Sequence, residues 1–336
     1  MVTEKDLKDF SDKCSRVFEQ IGRDMVGQRD IIESAVVAMI AGGNVLLEGV
    51  PGVGKTRLVR SLGRVFGLPF SRIQFTPDLM PSDVTGTNVI EKDERGNSVY
   101  RFQPGPVFSN IVLADEINRA TPKTQSALLE AMQEHIVSIA GEDHRLSEPF
   151  FVLATQNPIE QEGTYPLPEA QIDRFMLKLL VPFPSVDELR RIVLMTQQSM
   201  EETSERVLSA GELLAMRETA REIPVIDEVV DFTMRLVAAT HPDSDQPSET
   251  AKRYIRMGAS PRAAQALITG AKVRALIGGR YNVSLKDIHA LAYPVLRHRV
   301  KLNFDAVAER KTPDELIAAM LGELTRRPKS PVFGKR

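Results

Sequence analysis

Residues 49–56 place three glycines, a lysine and a threonine at the spacing G-x-x-x-x-G-K-T. Glycines at this spacing let backbone N–H groups close around a phosphate at the positive end of a helix. We expect Lys55 to place its charge on the β- and γ-phosphates and the Thr56 hydroxyl to bind Mg²⁺. A glycine-rich turn with an exposed lysine is the alternative interpretation. The residues predicted to contact nucleotide are Gly49, Val50, Pro51, Gly52, Val53, Gly54, Lys55, Thr56 and Arg57.

Two acidic residues, Asp115 and Glu116, directly follow the apolar run 111–114. Open α/β sheets bind their ligands at the carboxyl ends of such buried strands. We predict that Asp115 holds Mg²⁺ through water and that Glu116 polarises the attacking water as a general base. A merely solvated acidic pair is the alternative, and the phosphate loop upstream favours the catalytic interpretation.

An amide side chain, Asn157, follows the next apolar run in the segment ATQNP. An amide at this edge of a sheet could orient water and bond the γ-phosphate without adding charge. An asparagine that only forms a turn before Pro158 is an equally good interpretation of the spacing alone.

Five short apolar runs would bring these side chains to one edge of a sheet. They cover residues 45–47, 73–75, 111–114, 150–155 and 175–181, with helix-period segments between them. Continuous apolar strands separated by helices are typical of a parallel sheet that is covered on both faces. The first half of the sequence therefore predicts an α/β domain built on a five-stranded parallel sheet.

A change of pattern near residue 184 predicts a domain boundary. Prolines flank Phe183 and end the strand pattern, and Ser185 and Glu188 then have the spacing of a helix-capping box. Helices are predicted beyond it, over 186–198, 210–220, 227–239, 261–276 and 285–297. We expect a nucleotide-binding core over residues 1–183, an all-α domain over 184–325 and a basic tail over 326–336.

Several motifs, in the same order along the chain, resemble the MoxR group of AAA+ ATPases. They are the phosphate loop, LADEINRA at 113–120, ATQNP at 154–158, EAQIDRF at 169–175 and GASPRA at 258–263. The resemblance covers residues 15–320, almost the whole chain. It implies that the first domain is a P-loop AAA+ core and that the all-α domain is its lid.

The resemblance also implies roles for individual polar residues. Asn157 matches the sensor 1 position, and Arg262 matches sensor 2. Arg174 matches the arginine finger that reaches the nucleotide of the neighbouring subunit, with Arg119 as a competing candidate. Such a finger would stabilise charge on the transferred phosphoryl group and make hydrolysis depend on assembly. For Arg262 and Arg174, a surface salt bridge is the alternative.

A segment near the N-terminus, Val26-Gly27-Gln28, resembles the part of these proteins that contacts adenine. We therefore include Val26 and Gln28 among the expected nucleotide-binding residues. An ordinary turn before a helix that starts near Asp30 is the alternative.

Two hairpins are predicted between the strands of the core. Residues 87–90 and 98–102 alternate in polarity around a turn, and residues 137–139 and 144–146 flank Gly141. They resemble the helix 2 and pre-sensor 1 insertions of this branch of AAA+ proteins, which face the pore or the client. Plain decoration of the sheet edge is the alternative.

The composition excludes several other classes of protein. The 336 residues carry 43 basic and 45 acidic side chains, for a net charge of -2, which argues against binding nucleic acid through bulk charge. One cysteine, Cys14, cannot form an intramolecular disulfide, and the five histidines lack metal-site spacing. With no apolar run long enough to span a membrane and no signal-peptide core after Met1, we expect a cytoplasmic protein.

The resemblance implies an ATPase with ATP and Mg²⁺ as cofactors. ATP would be hydrolysed at the subunit interfaces of a homo-oligomeric ring, a hexamer by this resemblance, to remodel or mature partner proteins. In the family these partners often contain a von Willebrand factor A domain, and metal-cofactor insertion is a common outcome. A nucleic-acid motor and a nucleotide-gated binding scaffold are the alternatives, although mixed charge without aromatics at the hairpin tips disfavours the motor.

Overall fold

The computed structural model describes residues 2–50, 52–157, 164–197 and 203–326. The strands are β1 (Val45–Glu48), β2 (Phe70–Gln74), β3 (Gly86–Lys92), β4 (Ser98–Pro104), β5 (Ile111–Asp115), β6 (Ile136–Ile139), β7 (Glu142–Arg145), β8 (Phe151–Gln156), β9 (Leu177–Leu180), β10 (Ile255–Met257) and β11 (Lys301–Leu302). The helices are α1 (Glu4–Asp24), α2 (Arg29–Ala41), α3 (Lys55–Val65), α4 (Pro81–Thr85), α5 (Pro122–Glu134), α6 (Glu169–Ile172), α7 (Val186–Gln197), α8 (Ala210–Arg221), α9 (Asp227–Ala239), α10 (Glu249–Tyr254), α11 (Pro261–Ile277), α12 (Leu285–Leu296), α13 (Phe304–Ala308) and α14 (Pro313–Arg326).

A five-stranded parallel sheet, in the order β2-β5-β8-β1-β9, forms the centre of the first part of the chain. The inner strands β5, β8 and β1 are apolar and buried up to their last residues, as is usual in parallel sheets that are covered on both faces. The register places Gln74 opposite Asp115 at the carboxyl ends of β2 and β5. The predicted fold class is confirmed, and the predicted acidic pair lies at this edge of the sheet.

Two antiparallel hairpins project from the sheet, as the sequence predicted. β3 pairs with β4 from Gly86 opposite Pro104 to Lys92 opposite Ser98. β6 pairs with β7 from Ile136 opposite Arg145 to Ile139 opposite Glu142. The first hairpin is exposed along most of its length, whereas Val137 of the second packs into the core beside α5.

The later part of the chain is helical, with one exception. β10 and β11 form a short antiparallel pair, Ile255 opposite Leu302, between helices. The sequence analysis did not predict this pair, because strands of three and two residues are too short to show an alternating pattern. Serine caps begin α11 and α12 at Ser260 and Ser284, as their spacing indicated.

The described residues divide into two compact units. The sheet unit contains residues 13–175 and 179–215, and the helical unit contains residues 2–12, 176–178 and 216–326. The division therefore differs from a single boundary at residue 184. One reason lies at the end of α3, where the Val65 carbonyl accepts hydrogen bonds from Val207 N at 2.8 Å and Leu208 N at 3.1 Å.

The predicted basic tail begins inside a helix, because Arg326 is the last residue of α14. The rest of that tail, residues 327–336, lies outside the described residues. Among the helices that the structure does describe, none is both long enough and apolar enough to cross a membrane.

Candidate functional site

The glycine-rich loop joins β1 to α3 in a conformation that suits phosphate binding. Gly52 and Gly54 have φ angles of 82° and 86°, in the left-handed region where a side chain would be strained. Gly54 is the N-cap of α3 and Lys55 is its first residue. The N–H groups of the first turn of α3 therefore face the loop, where an anion would be stabilised. Pro51 lies outside the described residues.

Gly49 is required by a close approach between two strands. A Cβ atom at this position would lie 2.8 Å from the Val181 carbonyl oxygen and 2.9 Å from Val181 Cβ. The Gly49 carbonyl accepts a hydrogen bond from Lys55 Nζ at 2.7 Å. Lys55 is thus folded back over its own loop.

The surroundings of Lys55 shift its pKa. Burial lowers the pKa of Lys55 below its usual range, while the carboxylates of Asp115, Glu116 and Glu48 act in the opposite direction. The ammonium group therefore lies close to the acidic pair, within one electrostatic environment. An anionic phosphate beside Lys55 would act in the same direction as these carboxylates.

A cavity of about 600 Å³ brings the predicted residues together. Its volume falls in the range of sites for small molecules and cofactors. The lining includes polar groups from the loop, from β2 and from the ends of β5 and β8, together with apolar side chains of the N-terminal segment and α7. The predicted residues in the lining are Val26, Gln28, Gly52, Val53, Gly54, Lys55, Thr56, Arg57, Asp115, Glu116 and Asn157.

Asp115 is held from two sides. Thr155 donates its hydroxyl proton to Asp115 Oδ1 at 2.6 Å. Arg72 donates to Asp115 Oδ2 from Nη2 at 2.6 Å and from Nε at 3.1 Å. The carboxylate is therefore fixed by one neutral donor and one cation, and neither was singled out in the sequence.

Thr155 also fixes the backbone of the next acidic residue. Its hydroxyl oxygen accepts a hydrogen bond from Glu116 N at 2.8 Å, and Glu116 has a left-handed φ of 56°. The side chain of Thr155 is fully buried in β8. The sequence analysis missed this role. The signal that it could have used is a hydroxyl residue at the end of an otherwise apolar strand.

Glu116 is oriented by two further side chains. Its Oε2 atom accepts hydrogen bonds from Gln74 Nε2 at 3.0 Å and from Arg119 Nη1 at 2.9 Å. Gln74 lies at the end of β2, opposite Asp115 in the sheet register. Because the register cannot be obtained from one strand alone, the sequence did not reveal Gln74.

Asn157 and two residues of the N-terminal segment, Val26 and Gln28, line the cavity. Asn157 is buried immediately after β8 and lines the cavity. Gln28 donates from Nε2 to the Val53 carbonyl at 3.0 Å, so the segment is attached to the phosphate loop. Val26 contributes apolar surface to the same cavity.

The two predicted sensor and finger arginines lie outside this lining. Arg174, in the sheet unit, donates from Nη1 to the Leu129 carbonyl of α5 at 2.7 Å. Arg262 belongs to the helical unit, where its N–H donates to the Ser260 cap of α11 at 3.2 Å. Their predicted roles stay predictions.

The donor set of the cavity fits a magnesium ion that is shared with a nucleotide. Thr56 supplies a hydroxyl and Asp115 a carboxylate, and Mg²⁺ prefers such oxygen ligands. Among the described residues there is no cluster of three or more histidine, cysteine or acidic side chains suited to a metal. Phosphate oxygens would complete the coordination, as is usual for magnesium in nucleotide sites.

Comparison with known proteins places the chain in a family. Residues 44–177 match the "ATPase family associated with various cellular activities (AAA)", and residues 248–320 match the "AAA lid domain". Over 306 residues the chain is 44% identical to Chaperone MoxR1 of Mycobacterium tuberculosis, covering 91% of this chain and 80% of that protein. This chain belongs to the MoxR family of AAA+ ATPases.

Other relatives agree with this assignment. YeaC of Bacillus subtilis is 43% identical over 303 residues, which are 90% of this chain and 91% of YeaC. A crystal structure of a Cytophaga hutchinsonii protein superimposes with a TM-score of 0.88 at 38% identity, covering 95% of this chain and 96% of that one. The resemblance stated from the motifs is confirmed, and so is the AAA+ core with its lid.

Proposed function

We propose that this MoxR-family protein binds ATP with Mg²⁺ in the cavity at the end of the sheet and hydrolyses it. The observation that carries the proposal is the convergence of Lys55, Thr56, Asp115 and Glu116 on one cavity beside a left-handed glycine loop. A loop of this kind binds phosphates, and an acidic pair across from it supplies a metal ligand and a base.

The reaction would be attack of water on the γ-phosphorus of ATP, with ADP as the leaving group. Glu116 would orient this water and accept its proton, while Lys55 would stabilise charge on the phosphate oxygens. Thr56 and, through water, Asp115 would hold a Mg²⁺ ion, which would supply positive charge to the phosphate groups. Asn157 would bond the γ-phosphate from the end of β8.

We also propose that the protein acts in a homo-oligomeric ring, hexameric as the resemblance implies, in the cytoplasm. Arg174 of one subunit would complete the site of the next, and Arg262 would report the nucleotide to the lid. Support for a protein client, with a von Willebrand factor A domain as one candidate, comes from the mixed charges of Lys92, Glu94 and Arg95 at the tip of the first hairpin. Remodelling or metal-cofactor maturation of that client would use the energy of hydrolysis.

The decisive experiment is the Glu116→Gln variant. Its amide keeps the size of the side chain but cannot accept a proton, so turnover should fall by about 100-fold or more. ATP binding, measured by calorimetry, should persist because the phosphate loop is unchanged. Glu218→Gln, at an exposed ion pair with Arg221, is the matched control and should hydrolyse ATP normally. Wild-type turnover in Glu116→Gln would remove Glu116 from the reaction.

A further inference from the structure

Arg72 brings a positive charge to the acidic pair from a strand that no nucleotide motif includes. It alternates with the buried Ile73 along β2, so that Arg72 and Gln74 share one face of the strand. Both side chains line the same cavity as Lys55 and Asp115. Arg72 thus adds a cation to those that the loop and α3 bring to the proposed nucleotide site.

The contacts of Arg72 are all directed to the acidic pair and its neighbour. Nη2 donates to Asp115 Oδ2 at 2.6 Å and to Gln74 Oε1 at 2.6 Å, and Nε donates to the same Asp115 oxygen at 3.1 Å. The Gln74 contact holds the guanidinium plane towards the carboxylate. The charge of Asp115 is therefore compensated within the protein itself.

The two partners of Asp115 differ in how readily they can leave. The Thr155 hydroxyl is fully buried in the middle of the sheet and is also bonded to Glu116 N. The Arg72 side chain is 47% exposed and lies on the edge strand β2. A long exposed side chain can move without disturbing the sheet, so the exchangeable partner of Asp115 is Arg72.

Magnesium and Arg72 would compete for the carboxylate of Asp115. Two cations that approach one carboxylate repel each other, and a guanidinium cannot lose its charge by deprotonation. We propose that Arg72 is a placeholder cation, which neutralises Asp115 in the nucleotide-free protein and leaves it when Mg²⁺ and nucleotide bind. This inference rests on the proposed nucleotide function and adds a positioning residue to that site.

The displaced side chain would have an anion to bind in the same cavity. The planar donors of a guanidinium match the oxygens of phosphate as well as those of a carboxylate. Arg72 would therefore exchange Asp115 for a nucleotide phosphate while remaining in the lining. Its charge would favour nucleotide in the absence of metal and would oppose the metal at Asp115.

The test compares the affinity for ADP without and with a divalent ion. Calorimetry gives the Kd of ADP in EDTA and in excess Mn²⁺, which binds like Mg²⁺ and reports its own binding by electron paramagnetic resonance. In Arg72→Gln, the acidic pair would repel the phosphates more strongly in EDTA, whereas in Mn²⁺ the lost contact with a phosphate would be offset because the metal meets no competing cation at Asp115. The Kd of ADP in EDTA divided by the Kd in Mn²⁺ should increase about fivefold over the wild-type ratio. This change corresponds to ~1 kcal/mol, a reasonable value for a half-exposed ion pair.

Two further variants separate this role from a structural one. Arg72→Lys keeps the charge, so its ratio should stay within about twofold of wild type. Arg221→Gln removes an exposed arginine that pairs with Glu218 at 2.7 Å in the helical unit, and it should leave the ratio unchanged. An unchanged ratio in Arg72→Gln, or an equal increase in Arg221→Gln, would overturn the placeholder role.

The same data distinguish the inference from the function on which it rests. A wild-type protein that binds ADP neither in EDTA nor in Mn²⁺ would overturn the proposed nucleotide function, and the inference with it. ADP binding by the wild-type protein, together with an unchanged ratio in Arg72→Gln, would overturn the inference alone.

Discussion

Asp115 and Glu116, the acidic pair of the cavity, are each fixed by two neighbours. Thr155 and Arg72 hold Asp115, and Gln74 and Arg119 hold Glu116. A hydrogen bond to a charged group contributes about 1.5–3 kcal/mol, roughly twice the value for a neutral pair. Thr155, Gln74 and Arg119 therefore orient the carboxylates before a ligand arrives, and of the contacts to Asp115 only that with Arg72 would be exchanged on binding.

The buried hydroxyl of Thr155 can be tested by itself. Thr155→Val keeps the shape of the side chain but removes the donor to Asp115 and the acceptor for Glu116 N. We expect a loss of about 1–3 kcal/mol in the free energy of unfolding, measured with urea. ATP turnover should fall about 10-fold, because the carboxylate that we propose as a magnesium ligand loses its orientation.

The matched variant for this position is Thr155→Ser, which keeps the hydroxyl and loses only a methyl group. Its ATP turnover should remain near that of wild type, even though its stability decreases. Normal turnover in Thr155→Val would show that the hydroxyl does not orient the acidic pair.

At the scale of the elements, one buried carboxylate joins three parts of the sheet unit. Asp24, at the end of α1, accepts hydrogen bonds from Ser61 Oγ of α3 at 2.7 Å and from Thr203 N at 2.8 Å, and it contacts the Ser204 hydroxyl. Burial raises the pKa of Asp24, but these hydrogen bonds outweigh it, so that its pKa lies below the usual range. Helix α3, which follows the phosphate loop, is thereby attached to the end of α1 and to residues 203–204.

The lowered pKa of Asp24 predicts a pH-dependent stability. A carboxyl group with a lower pKa in the folded state stabilises the protein above its unfolded-state pKa, and this stabilisation is lost as the pH falls through the folded-state value. Asp24→Asn should therefore be less stable than wild type by about 1–3 kcal/mol at pH 7. The difference should shrink below about pH 4, in urea unfolding curves measured from pH 7 to pH 3.

The control for this prediction is Asp187→Asn, which changes an exposed aspartate in the first turn of α7. Its effect on stability should stay within about 0.5 kcal/mol of wild type. A deficit in Asp24→Asn that is the same at pH 3 and pH 7 would contradict the assigned role of the carboxylate.

The two hairpins of the sheet unit meet through aromatic rings. Phe102 of β4 stacks on His144 of β7 with ring centroids 3.9 Å apart and planes inclined by 20°. Phe108 contacts Phe102 edge to face at 5.3 Å. Such contacts add about 0.5–1.5 kcal/mol beyond the area they bury, so the hairpins are joined near their bases while the tip of the first remains exposed.

At the scale of the whole molecule, the residues proposed for catalysis are divided between those that one chain brings to the cavity and one that assembly would add. Arg119 contacts Glu116 of its own chain at 2.9 Å, which assigns it a local partner. Arg174 is held by α5 through the Leu129 carbonyl and lines no part of the cavity in its own chain. This arrangement agrees with a finger that acts on a neighbouring subunit, which remains our proposal.

The proposal predicts complementation between two inactive variants. Arg174→Ala should bind ATP but lose about 1,000-fold in turnover, the usual contribution of such an arginine. Lys55→Ala should fail to bind nucleotide but still present an intact Arg174. Mixed oligomers of the two should recover part of the ATPase activity, measured after their formation is checked by gel filtration. No recovery in oligomers that do form would contradict a role between subunits.

The sequence by itself determined the class of fold and the chemistry of the site. The alternation of apolar runs and helices predicted the parallel sheet, and the spacing of the loop residues identified Lys55 and Thr56. The acidic pair and both hairpins were also predicted, because each depends on neighbouring residues in the chain. Each of these patterns depends only on residues that are close in the sequence, so it can be recognised without the contacts between distant segments.

Only the tertiary structure decided which side chains support that site. Arg72 and Gln74 are exposed polar residues on an edge strand, and nothing in their spacing connects them with Asp115 and Glu116. The parallel register of β2 on β5 brings them together across about forty residues of sequence. The pairing of β5 with β8 brings Thr155 beside Asp115 in the same way. Contacts between strands depend on register and sheet order, which are properties of the folded chain and not of any one segment.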